Sequence, residues 1–263
     1  MLPADLTYMR TMIANVALAG WPGSGSWVLV DAGVATFADN IAKAANARFG
    51  IEKPHAIVLT HGHFDHVGSL HALLERWNVP VFAHEDELPY LTGMADYPEA
   101  DPGVGGGLMA RISPLYPHKG IDISRWVQPL PKDGSVPGMP GWRWVPTPGH
   151  TKGHVSLFRE KDLSLIAGDA FITVKQTSAF AVLAQEEEIH GPPPYFTFDW
   201  QDAWKSVKRL DELKPRLAIT GHGKPMEGEA LAHGLAELAR HFDRLAIPKP
   251  KSGSDKSDDF QLV

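Results

Sequence analysis

Thr60-His61-Gly62-His63-Phe64-Asp65-His66 sets three imidazoles and one carboxylate within six consecutive residues, His61 to His66. A folded core has little use for adjacent ionisable groups, because each needs a partner or carries a desolvation cost. One histidine in such a place would read as a satisfied structural residue; this density reads as a site that binds metal. The stretch is flanked by two different periodicities. The apolar run Ala56 to Leu59 before it is short and β-branched, as in a buried strand. After it, Val67, Leu70, Leu74 and Trp77 return at helical spacing. The cluster therefore lies where a strand gives way to a helix.

Working outward, the same alternation fills the first half of the chain. Thr11 to Ala19, Trp27 to Val30 and Val81 to Ala83 read as strands, with Gly20 to Gly25 as the turn between the first two, and Phe37 to Phe49 reads as a helix. Trp142 to Val145, Val155 to Phe158, Leu163 to Ala167 and Leu217 to Thr220 are further strand-like runs. Asp199 can cap a helix whose Ala203, Trp204, Val207, Leu210 and Leu213 keep helical spacing. Glu85, Asp86 and Glu87 form an acidic run that most simply starts a helix, and Glu229 to Leu245 reads as a closing helix. The class is α/β. Three more polar residues follow apolar runs: His150, Asp169 and His222. Strand ends meeting at one sheet edge are where sites are assembled.

Taken in order, these residues resemble the metallo-β-lactamase superfamily: an early aspartate, Asp31, then the His61-x-His63-x-Asp65-His66 cluster, then His150, Asp169 and His222. The resemblance spans most of the chain and implies an αβ/βα sandwich with metals at one edge. It assigns His61, His63 and His150 to one metal, Asp65, His66 and His222 to a second, and Asp169 as a bridge, with Asp31 orienting a ligand histidine. It also implies a hydrolase in which two ions hold a hydroxide that attacks an electrophilic carbonyl. With no cysteine in the chain, the ligands are nitrogen and oxygen. Zinc is the default, and manganese or iron also suits such donors.

Departures from the family's branches narrow the choice. The absence of cysteine removes the β-lactamases that need a thiolate ligand. Only 41 residues follow His222 in the 263-residue chain, too few for the helical domain of the glutathione thioesterases. The iron persulfide dioxygenases typically carry arginine and cysteine soon after the aspartate, where this chain reads Asp169-Ala170-Phe171-Ile172. The remaining expectation is a lactonase or esterase; a glyoxalase II-like thioester hydrolase and a mononuclear iron dioxygenase are the alternatives. Asp65 and Asp169 are the catalytic candidates. So is Tyr195, in the Gly191-Pro192-Pro193-Pro194-Tyr195-Phe196 loop, as a hydrogen-bond donor to the oxyanion or leaving group; its ring would equally pack on the prolines.

The domain reading is one unit over residues 1–247. Prolines and glycines interrupt residues 91–140, which read as an inserted cap, with Tyr90, Leu91, Met94, Leu108, Met109 and Tyr116 as an apolar set suited to a hydrophobic acyl or aromatic substrate. Residues 248–263 are lysine, serine and aspartate rich with little to bury, and read as a disordered tail. A composition of 43% hydrophobic and 21% charged residues fits a globular protein with a sizeable core. The formal charge of -6, with scattered lysines and arginines, argues against a nucleic-acid partner. No apolar stretch approaches the roughly 20 residues of a membrane span. The expected partner is a small apolar ester or lactone, the expected location cytoplasmic, and a homodimer stays open. His84, His118, His154 and His190 are left outside the metal set, with His154 read as a structural histidine or a support for the ligands.

Overall fold

The computed structural model describes residues 1–100, 116–174 and 188–248. Two mixed sheets face each other. In the first, β1 (Leu6–Thr11), β2 (Ala14–Ala19), β3 (Val28–Val30), β4 (Ala56–Val58), β5 (Val81–Ala83) and β6 (Val127–Pro129) lie side by side in chain order. The first two pairings are antiparallel and the rest parallel. In the second, the order is β11 (Met226–Glu227), β10 (Leu217–Thr220), β9 (Ser164–Gly168), β8 (Val155–Arg159) and β7 (Trp142–Pro146), with only β9 and β10 parallel.

The two-residue period of a strand explains why there are three apolar layers. Val28, Val30 and Val58 point inward and meet Leu157, Ile166 and Ile219 of the other sheet. Their neighbours Leu29, Ile57 and Val81 point outward and pack against helices α1 (Ala38–Phe49), α2 (Phe64–Val67) and α3 (Leu70–Trp77), through Ile41, Val67, Leu70 and Leu74. A short helix α4 (Leu88–Leu91) follows β5. On the far side Phe158, Leu165 and Ala218 pack against α5 (Trp200–Glu212), α6 (Gly228–Arg240) and α7 (Phe242–Leu245), through Val207, Leu210, Leu231, Leu235 and Phe242. Helix, sheet, sheet, helix is the αβ/βα sandwich. Asp199 caps α5 as its spacing predicts: Oδ1 accepts from the Gln201 and Asp202 amides at 2.8 and 2.9 Å.

Several boundaries differ from the sequence reading. Thr11 to Ala19 is not one strand: a tight turn at Met12, with φ of 64°, folds Leu6–Thr11 back on Ala14–Ala19. The stretch read as a cap contributes to the frame, since Val127–Pro129 is the sixth strand of the first sheet. Proline is tolerated there because the strand is at an edge. Leu91 is fully buried in the core beside Ile123 and so does not face a substrate. Met94 is exposed. Leu108 and Met109 of the cap reading, and residues 249–263 of the tail reading, lie outside the described residues.

Candidate metal centre

The strand ends place the chemistry. His61 follows β4, His150 follows β7, Asp169 follows β9 and His222 follows β10, while Asp65 and His66 ride on the first turn of α2, whose N-cap is His63. The structure brings every one of these side chains to one edge of the sandwich, and all are buried. Their donor atoms fall into three overlapping groups: His61, His63 and His150; His61, His66 and Asp169; Asp65, His66 and His222, with the atoms of each group within 4.8 Å of one another. His63 Nδ1 is 3.0 Å from His150 Nε2. Asp169 Oδ2 is 3.1 Å from His222 Nε2 and 3.4 Å from His150 Nε2, so this carboxylate stands between the two imidazole sets. His222 Nε2 is also 3.4 Å from Asp65 Oδ2.

The supporting bonds fix which nitrogen of each ring faces inward. Asp31, held at the positive φ of 61° just after β3, accepts from the Thr60 amide at 2.8 Å, from the Thr60 hydroxyl at 2.8 Å and from His66 Nδ1 at 2.9 Å. Because Thr60 Oγ1 donates to Asp31, it accepts from His61 Nδ1, 3.0 Å away. His222 Nδ1 donates to the Ile13 carbonyl at 2.8 Å. In each case the Nδ1 proton is spoken for, which leaves Nε2 as the nitrogen that faces the centre. His61 Nε2, His66 Nε2 and Asp169 Oδ1 are buried and have no hydrogen-bond partner among the described residues, His66 Nε2 and Asp169 Oδ1 lying 3.6 Å apart. Buried polar atoms are seldom left so; a cation among them would satisfy all three. The donor set of imidazole and carboxylate suits zinc, manganese or iron. Gly221 adds to the fit, because a Cβ there would collide with Asp169 Oδ1.

Electrostatics divide the cluster. Burial lowers His61 and His150 well below the ordinary imidazole range, helped by neighbouring imidazoles, and brings His63 down to about 3. For His66 burial acts in the same direction, but Asp169, Asp31 and Asp65 outweigh it and hold the ring well above that range. His222 is likewise raised, chiefly by Asp169 against burial. Burial would raise Asp169, yet His222 and His66 pull it well below the usual carboxylate range. One half of the centre is thus made of neutral imidazoles and the other of carboxylates and charged imidazoles, the arrangement of a site that trades protons for cations.

Among the remaining histidines, His154 is buried and satisfied: Nε2 accepts from the Asp169 amide at 2.9 Å and Nδ1 pairs with Thr147 Oγ1 at 2.8 Å. It orients the loop that carries Asp169. His84 caps a 3-10 turn at Glu85–Glu87 by accepting from the Asp86 amide. Tyr195 is buried, in a 3-10 turn at Pro194–Phe196, and packs with Ala100, Tyr116 and Phe196. It also borders the cavity above Asp65 and Asp169, together with Phe64 and Tyr116. Burial, reinforced by Tyr116, Asp65 and Asp169, pushes its phenol up, so it keeps its proton. Beyond Phe196 a cavity of about 240 Å³ opens from His63 and His150, walled by Tyr90, Tyr97, Lys152 and Trp200.

Sequence reasoning missed Thr60, Asn15 and Glu87. Thr60 had a signal, since it abuts the cluster. Asn15 bonds through Nδ2 to the carbonyls of Thr220 and Gly223, at 2.9 and 2.6 Å, and so ties the first hairpin to the loop bearing His222. Of the acidic run, Glu85 is exposed but Glu87 is fully buried.

Comparison with known proteins agrees with this geometry. The profile of the metallo-beta-lactamase superfamily matches residues 10–222, and the chain belongs to that superfamily. It is 48% identical over 239 residues, 90% of each chain, to the "Probable metallo-hydrolase YflN" of Bacillus subtilis (strain 168). It is 26% identical over 174 residues, 66% of this chain and 56% of the relative, to the N-acyl homoserine lactonase of Bacillus thuringiensis. The solved structure of TTHA1623 in a di-iron-bound form superposes with a TM-score of 0.58 at 23% identity, covering 91% of this chain and 98% of that one.

Proposed function

We propose that the chain is a metal-dependent hydrolase that holds two divalent cations and opens a lactone or carboxylic ester with an apolar acyl or aryl part. The observation that carries this reading is the convergence of buried donor atoms without a hydrogen bond among the described residues, His61 Nε2, His66 Nε2 and Asp169 Oδ1, behind an aromatic-walled cavity that His63, Asp65, His150, Asp169 and His222 line. His61, His63 and His150 would hold one ion, and Asp65, His66 and His222 the other, with Asp169 shared. Two zinc ions are the first choice, and the di-iron form of TTHA1623 keeps iron in the comparison. When bound, such ions supply a water activated at neutral pH and polarise the scissile carbonyl.

The protein's own groups do the rest. Asp31 and Thr60 hold the rings of His66 and His61 in the tautomers that face inward. Phe64, Tyr116 and Phe196 form a contiguous aromatic wall, with Phe64 and Tyr116 stacked at 5.3 Å, that excludes bulk water from the reacting bond. Tyr195, protonated at neutral pH and bordering the cavity, would donate to the developing oxyanion or the leaving oxygen. The cavity beyond Phe196 would take the apolar part of the substrate along its aromatic side, Tyr90, Tyr97 and Trp200, with Glu99 and Lys152 as polar lining. Similarity to a curated lactonase supports the choice of bond.

The test is turnover of the zinc-loaded protein on matched lactones, aryl esters, thioesters and phosphodiesters. Lactones or aryl esters should be cleaved fastest, with kcat/KM rising as the acyl chain lengthens. Cleavage confined to thioesters or phosphodiesters would overturn the substrate reading.

A further inference from the structure

Glu87 is fully buried, in the turn between β5 and α4, and among the described residues its hydrogen bonds go to groups other than the metal-facing atoms. Its carboxylate nevertheless meets both loops that supply the three-histidine set. Oε2 accepts from the Gly62 amide at 2.9 Å, between His61 and His63, and from the Tyr97 hydroxyl. Oε1 accepts from Thr151 Oγ1 at 2.7 Å, next to His150, and from the Gly153 amide at 2.9 Å. Each oxygen meets one backbone amide, which can only donate, and one hydroxyl that donates beside it, a set that suits a carboxylate. A buried carboxyl is costly unless it is well bonded, and these bonds offset that cost. The backbone closes on it as well: a Cβ on Gly153 would lie 2.8 Å from Glu87 Cγ.

We infer that Glu87 is a positioning residue for the three-histidine half of the centre, clamping the 61–63 and 150–153 loops so that His61, His63 and His150 converge. Tyr97 extends the clamp to the substrate side. Its ring lies edge-on to His63, with centroids 4.6 Å apart, its other neighbour Tyr90 stacks on it at 4.0 Å, and both tyrosines wall the larger cavity. One carboxylate thus ties ligand loops and pocket wall together through hydrogen bonds to backbone and hydroxyl groups. The inference rests on the metal-centre reading above.

A brace that only stabilised the fold would lower the melting temperature and leave the affinity of the folded protein for metal unchanged. The experiment is therefore zinc affinity, by competition with a chromophoric chelator, and the visible spectrum of the cobalt-substituted protein, each on wild type, Glu87→Gln, Tyr97→Phe and Thr151→Val. Glu87→Gln turns an NH2 toward one of two backbone amides, Gly62 or Gly153, that can only donate. It should weaken one of the two zinc equivalents about 10- to 100-fold and alter the cobalt bands, with the other equivalent retained. Tyr97→Phe and Thr151→Val, which each remove one donor, should weaken the same equivalent by a smaller factor. A folded Glu87→Gln protein with wild-type affinity for both equivalents and unchanged cobalt bands overturns the inference alone. Should that variant fail to fold, wild-type affinities in both Tyr97→Phe and Thr151→Val overturn it equally. Wild-type protein that binds neither ion would bring down the metal-centre reading and this inference with it.

Discussion

Asp169 stands between both halves of the proposed centre, its carboxylate within 3.6 Å of His66, His150 and His222. We predict that Asp169→Asn lowers kcat at least about 100-fold with little change in KM, because the lost interaction serves the reacting bond rather than the pocket. Unchanged kcat would remove Asp169 from the chemistry. Tyr195→Phe should lower kcat about 100-fold, the modest end for loss of one proton donor, with metal content intact; equal activity would leave Tyr195 a packing residue. Legibility at this scale followed chain distance. The His61 to His66 cluster is readable because its members are neighbours. Glu87 is not, because its partners Gly62, Tyr97, Thr151 and Gly153 come from separate parts of the chain. An acidic triplet looks the same whether its last member faces solvent or the core.

Among the elements, the first hairpin does more than pair strands. Its Ile13 carbonyl holds His222, and its Asn15 holds the carbonyls on either side of that residue. Asn15→Ala takes a donor from both carbonyls, and should cost about 1–3 kcal/mol in urea unfolding and reduce metal occupancy. Loss of stability without loss of metal would confine Asn15 to the frame. The hairpin was invisible in the sequence because its turn, at Met12, has neither the glycine nor the asparagine that usually marks positive φ. β6 was hidden for the opposite reason: Pro129 looks like a strand breaker, yet β6 is an edge strand paired on one side only, where proline is tolerated. Strands β3, β4, β5 and β10 were legible as unbroken apolar runs, since both their faces are covered. Tyr116, against Phe64 and Phe196, is the described residue through which the cap reading is best tested. Tyr116→Ala should change the ratio of kcat/KM for long and short acyl substrates by about 10-fold, within the range for lost apolar contacts, with metal content unchanged. An unaltered ratio would exclude it from the substrate pocket.

For the molecule as a whole, the metal-free protein carries several buried imidazoles that fold neutral. His154 is lowered to about 4 and His63 to about 3, in both by burial first and against the pull of Asp169. Their folded values lie below the unfolded value near 6.5, so the unfolded chain takes up protons that the folded chain refuses. The stability this represents is present above about 6.5 and is lost as pH falls toward 4; for His154 alone the linkage amounts to roughly 3 kcal/mol. His66 and His222, raised instead, have their contribution fully in place below 6.5 and do not offset the loss. Urea unfolding of metal-free protein should therefore show falling stability from pH 6.5 to 4, and a flat profile would contradict the burial of these rings.

The proposed centre holds two cations between His61, His63, Asp65, His66, His150, Asp169 and His222. Titrating zinc into metal-free protein, while following bound metal and lactone or ester hydrolysis together, tests it most directly. Two equivalents should bind, with full activity reached only as the second is taken up and a rise in Tm on loading. Full activity at one equivalent, with no second binding step, would contradict it.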